Sequence, residues 1–125
     1  MIENKISYKI IGCAFEVHKT LGPGLLESTY QKRFQYELIK AGLYTEHEKT
    51  LDLTYKGLSV DNAYRIDLII ENRIAIEIKS VEMINDIHIA QLLTYLKLGE
   101  LKLGLLINFN TKDLKHGIKR LINTF

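Results

Sequence analysis

The segment from Arg65 to Lys79, Arg-Ile-Asp-Leu-Ile-Ile-Glu-Asn-Arg-Ile-Ala-Ile-Glu-Ile-Lys, constrains this chain more than any other. Two β-prone runs flank the polar triplet Glu71-Asn72-Arg73, so the spacing predicts a β-hairpin. With that triplet as the loop, Ile70 faces Ile74, Leu68 faces Ile76, Asp67 faces Glu77, Ile66 faces Ile78 and Arg65 faces Lys79. Successive side chains alternate between the two faces of a sheet. One face is then entirely Ile and Leu, while the other carries Arg65, Asp67, Ile69, Ala75, Glu77 and Lys79. Directly opposed side chains have Cβ atoms about 4.5–5.5 Å apart, and like charges at that distance destabilise a sheet. A hard divalent cation removes the repulsion, since Mg²⁺ is commonly held by one or two carboxylates with waters and substrate phosphates as its other ligands. A surface charge ladder, in which Arg65 and Lys79 neutralise the two acids, fits the same spacing.

The remainder of the chain bounds what such a hairpin can belong to. At 125 residues and 46% hydrophobic content, one globular domain over 1–125 is expected, with room for a core and none for a second module. A formal charge of +2 permits nucleic-acid binding without arguing for it, so any basic surface must come from local clustering or from oligomerisation. The single cysteine, Cys13, excludes an internal disulfide framework and a cysteine-rich zinc site, which fits a reducing compartment. Met1-Ile-Glu-Asn-Lys-Ile has no apolar leader core, and no apolar run approaches membrane-spanning length. A cytoplasmic protein with no membrane partner is the expectation.

The periodicity predicts a helix from about Glu3 to Thr20, with stripes Ile6-Ile10-Ala14-Val17 and Ile11-Phe15-His18, ended by the turn Leu21-Gly-Pro-Gly24. A second helix, about Leu25 to Ala41, carries Leu26, Tyr30, Phe34 and Leu38 at spacings of four and stops at Gly42. Strands at Glu46 to Tyr55 and Leu58 to Tyr64 surround a Lys56-Gly57 turn and lead into the hairpin. Asn85 or Asp86 caps a third helix that runs to about Leu98 and closes at Gly99. Lys102-Leu-Gly-Leu-Leu-Ile-Asn108 reads as a strand covered on both faces, and Asp113 to about Asn123 as a short terminal helix. The order α-α-β-β-β-α-β-α implies an α/β fold, with a central mixed four-stranded sheet flanked by helices.

Three features converge on the hairpin. Glu27 lies one turn into the second helix at the border of its apolar stripe, where the helix dipole alone also favours a carboxylate. Gln91 and Tyr95 share a face of the third helix with His88, a trio equally at home as a packed tyrosine beside a satisfied amide. That helix directly follows the strand carrying Glu77 and Lys79, so it starts near one end of the strand. His18 is not taken as a ligand, because a Mg²⁺ site draws little on imidazole.

Taken together, Gly24-Leu-Leu-Glu27-Ser-Thr-Tyr30, Ile66-Asp67, Glu77-Ile78-Lys79, Gln91 with Tyr95 and Gly104-Leu-Leu-Ile-Asn-Phe109 resemble, in order, the motifs of the GxxExxY proteins. These are a group within the PD-(D/E)XK nuclease superfamily, and the glutamine and tyrosine helix resembles that of its RecB-like branch. One departure is Ile66, which stands at the proline of the superfamily name. The resemblance covers most of the chain and implies a restriction-endonuclease-like fold. It further implies a metal-dependent nuclease that hydrolyses phosphodiester bonds of nucleic acid, with DNA as the first expectation.

On that resemblance Asp67 and Glu77, helped by the backbone carbonyl of Ile78, hold Mg²⁺ or Mn²⁺, and Glu27 is a further acidic ligand. Lys79 orients or deprotonates the attacking water or offsets charge growing on the phosphorus. Gln91 orients Lys79 or that water, and Tyr95 bonds a substrate phosphate or braces the site. Arg65, from the register alone, contacts a neighbouring phosphate or forms a salt bridge behind the site. The competing expectation is a catalytically silent nucleic-acid-binding or protein-interaction domain that keeps the fold. A chain of this size has little surface against the roughly 1,000–2,500 Å² that specific protein–DNA interfaces bury, and a homodimer is one way to complete the groove.

Overall fold

In the computed structural model, residues 2–124 are described. Helices α1 (Ile2–Leu21) and α2 (Glu27–Lys40) come first, followed by the antiparallel meander β1 (Thr45–Tyr55), β2 (Leu58–Ile70) and β3 (Ile74–Lys79). Helix α3 (Asp86–Gly99) crosses over to β4 (Leu103–Asn108), and a short 3₁₀ turn at Leu114–Gly117 leads into β5 (Ile118–Ile122). The five strands stand in the order β1-β2-β3-β4-β5, with β3 and β4 parallel and every other neighbouring pair antiparallel. Among the described residues no helix is long and apolar enough to cross a membrane.

The first three predicted helices and the meander form, with the second and third predicted strand segments fused into the single long β2. The terminal helix expected at Asp113 to Asn123 does not form, and the sheet has five strands rather than four. Both departures have one cause. A strand as apolar as β4 is buried through its whole length and needs a neighbour on each side. Ile118 to Ile122 supply the second neighbour, pairing Ile107 with Ile118 and Leu103 with Ile122. Gly117 makes the entry possible, because a Cβ there would lie 2.2 Å from the carbonyl oxygen of Asn108.

The sheet separates two cores. On one face Ile10, Ala14 and Val17 of α1 and Tyr30, Phe34 and Leu38 of α2 bury Leu68, Ile70, Ile74, Ile76 and Ile78. On the other, Leu92, Tyr95 and Leu96 of α3 pack on Ile66, Ile69, Ala75 and Leu106. The small residues Ala75 and Gly104 are paired across β3 and β4, and a Cβ at Gly104 would stand 3.1–3.2 Å from Leu92 and Leu96. Helix α3 therefore lies close against the sheet, which brings Tyr95 down to the level of the strands. Its start is fixed by a reciprocal cap in which Asn85 Oδ1 accepts from the His88 amide and His88 Nδ1 from the Asn85 amide.

Candidate active site

The hairpin forms in the predicted register, Ile70 to Ile74, Ile69 to Ala75 and Leu68 to Ile76, with Glu71 and Asn72 both in the left-handed conformation at the turn. Beyond Leu68 and Ile76 the backbone ladder stops and the two carboxylates take over. The Asp67 amide donates to Glu77 Oε1 at 3.1 Å, and the Ile78 amide donates to Asp67 Oδ2 at 2.8 Å. The strands part at this point, and Glu48, across from Asp67 in the β1–β2 register, has φ +52°. The pleat is interrupted, so Ile66 joins Ile69 on the α3 side instead of the Leu68 side expected from strict alternation.

Parting the strands holds two acids side by side and largely out of water. Glu77 is 5% exposed and Asp67 half-buried. Burial, and then the neighbouring Asp67 charge, push the Glu77 carboxyl up to about 8, and burial raises Asp67 as well. The ammonium of Lys79, half-buried one pleat beyond Glu77, pulls both carboxyls back without offsetting these effects. The two carboxyls titrate as a pair and retain a proton near neutrality.

Helix α2 brings a third carboxylate. Glu27 is its first residue, and Glu27 Oε2 accepts from the Ser80 amide at 3.3 Å, just past the end of β3. Its charge is felt by both Asp67 and Glu77. The turn that aims it is built by its neighbours. Gly24 has φ +96°, Tyr30 Oη donates to the Gly22 carbonyl and accepts from the Leu25 amide, and Tyr30 stacks on Phe109 with ring centroids 4.7 Å apart. Gly24, Glu27 and Tyr30 are thus turn, ligand candidate and brace.

On α3, Tyr95 is buried against Tyr64, edge to face at 5.5 Å. Burial, with Glu77 and Asp67 adding to it, pushes its hydroxyl up to about 12, so it stays a hydrogen-bond donor at any working pH. Gln91 stands one turn earlier on the same helix and is exposed. Arg65 does not take the register position facing Lys79. It pairs across β1 with Thr50, and its guanidinium lies 3.9 Å from Glu48 instead of facing Lys79, because the β2–β3 ladder has already ended. Its charge still reaches Asp67 weakly.

Two residues that the sequence did not mark also shape the site. Asn108, 2% exposed, accepts from the Val81 and Asn110 amides and donates to the Val81 carbonyl, while the Lys79 carbonyl accepts from the Phe109 amide. Ser80 Oγ donates to the Leu25 carbonyl. The chain leaving Lys79 is therefore tied to β4 on one side and to the start of α2 on the other. A lone Asn ending a buried apolar strand was the readable signal for Asn108; Ser80 carried none.

Among the described residues no group of three or more His, Cys, Asp or Glu stands ready as a complete metal cage. The donor set nevertheless fits a hard divalent cation. Asp67 and Glu77 each give one oxygen to an amide and keep another, and burial, which raises both, disfavours their charged forms unless a cation joins them. A pair of carboxylates is what a Mg²⁺ ion that retains several waters requires.

No curated protein and no solved structure matches the chain. A family model described as the PD-(D/E)XK nuclease superfamily matches residues 4–121, a span that takes in both core helices, the parted hairpin and all the acids described above. The chain belongs to the PD-(D/E)XK nuclease superfamily.

Proposed function

We propose that this protein is a metal-dependent phosphodiesterase that cleaves nucleic acid, with DNA as the first substrate to test, and that it is of the GxxExxY type within the RecB-like branch. The observation that carries the reading is the parted hairpin, in which two carboxylates replace the β-ladder and are buried together at the cost of raised titration. Strain of this kind is retained where it serves chemistry. Superfamily membership supports the nuclease assignment and a divalent ion as its cofactor.

Asp67, Glu77 and the Ile78 carbonyl would hold Mg²⁺ or Mn²⁺, with Glu27 as a further ligand. When bound, the ion supplies charge neutralisation at a phosphate oxygen and a more acidic water. The chain's own groups do the rest. Lys79 sits on the face of Glu77 and offsets charge that grows on the phosphate as a fifth oxygen approaches. Tyr95, fixed as a donor, bonds a phosphate oxygen, and Gln91 orients the attacking water or Lys79 from one turn away. The Asn108 and Ser80 ties hold Lys79 so that its position does not drift during attack.

Cleavage of labelled single-stranded DNA, duplex DNA and RNA, with Mn²⁺, Mg²⁺ or EDTA, tests the reading against Glu77→Gln. Metal-dependent products that fall by at least about 100-fold in the variant are expected. No products from the folded wild-type protein on any substrate would leave a binding domain that keeps the nuclease fold.

A further inference from the structure

Two recesses with lysines in their walls meet at the end of the sheet where β3 and β4 terminate. One, of about 620 Å³, lies between the last turns of α1 and the loop after β4, with Phe15, Lys19 and Lys112 in its walls. The other, of about 310 Å³, lies between the β3–α3 loop and β5, with Met83, Ile84 and Lys119 in its walls. They share Thr111 and His116, so each begins where the other ends. The second also has Asn108 in its wall, the residue that ties down the chain after Lys79.

The recesses open on opposite faces of the sheet. Lys119 lies two residues from Leu121, which packs on the α3 side, and Ile84 packs there too, whereas Phe15 and Lys19 belong to α1 on the far side. A ligand filling both turns around the end of the sheet. With neighbouring strands about 4.8 Å apart, β5 lies about 10 Å from β3, a step or two along a nucleic-acid backbone from the carboxylate pair.

The charge is available. Asp113, in the wall of the larger recess, is taken by Lys115 at 3.8 Å. Among the described residues Lys19, Lys112 and Lys119 have no carboxylate within ion-pair distance, and Glu82 at the rim of the smaller recess is the one other acid in the two linings. Phe15 is 41% exposed in these surroundings, an aromatic face open to a base. Cations spaced along a groove with an aromatic platform are how single strands are held without sequence readout.

Resting on the reading of Asp67 and Glu77 as a hydrolytic centre, we propose that this bent recess is the track of a single-stranded nucleic acid. Lys119 and Lys112 sit on backbone phosphates either side of the corner, and Phe15 stacks on a base. A duplex, with a persistence length of about 50 nm, does not follow a corner this tight. A single strand does.

Fluorescence anisotropy in EDTA, with a labelled DNA strand, its duplex and the matching RNA strand, tests the track on the wild-type chain and on Lys112→Glu/Lys119→Glu. Lys5→Glu/Lys9→Glu is the control with the same charge change. It lies toward the start of α1, where Glu3 pairs with Arg73 of the β2–β3 turn at the opposite end of the sheet. Single strands are expected to bind about tenfold or more tighter than duplex, and the track variant to lose about tenfold or more with a shallower salt dependence, the control being unaffected. Duplex binding as tight as single-strand binding, or a folded track variant that binds like wild type, overturns the proposal. If Glu77→Gln still abolishes cleavage in that case, the hydrolytic reading stands and the track alone fails. A wild-type protein that neither binds nor cuts any of the three ends both.

Discussion

Glu77 concentrates the physical tension of the molecule: it is buried, beside a second carboxylate, and held by a single amide. Its carboxyl is raised from an ordinary 4.5 to about 8, so as pH climbs between those values the unfolded chain gives up its proton first. The native state then binds more protons than the unfolded one, and stability contributed by Glu77 is lost as pH rises through that window. Thermal unfolding of the cation-free protein is expected to show a melting temperature that declines across pH 4.5–8. Glu77→Gln keeps an oxygen for the Asp67 amide and carries no charge. It should flatten that decline and melt several degrees above wild type at the alkaline end. A wild-type profile that rises over the same window would show that the carboxyl is not strained.

At the scale of elements, the turn between α1 and α2 converts a short sequence motif into a position for Glu27. Tyr30→Phe removes the hydroxyl that joins the Gly22 carbonyl to the Leu25 amide while keeping the stack on Phe109. A loss of about 1–2 kcal/mol in stability is expected from denaturant melts. Cleavage should fall more than that loss explains under conditions where the variant is fully folded, because Glu27 no longer has a fixed base. Unchanged cleavage would make Tyr30 a core residue only. Ile118 and Leu121 sit three apart, a spacing that suits a helix, and Asp113 suits its cap. What decides for β5 is non-local: the unpaired edge of β4 and the space that Gly117 leaves beside Asn108.

Across the whole molecule, the division of labour follows the two cores. Helices α1 and α2 cover the all-aliphatic face, while α3 and the polar face of the hairpin flank the candidate site, and Glu27 reaches over from the first layer through the Ser80 amide. The register that brings Asp67 beside Glu77 is legible in the sequence, because β alternation is local and the loop fixes the pairing. The parting of the strands is not, since it depends on carboxylates competing with backbone amides and on the left-handed Glu48. For the same reason Arg65 does not face Lys79 and lies beside Glu48. The claim on which the rest depends is that the parted hairpin is a cation site, and calorimetric titration of Mn²⁺ at pH 8 into wild type and Glu77→Gln measures it directly. Saturable binding that releases protons in wild type and is lost in the variant is the predicted result. Identical titrations from the two folded proteins would contradict it.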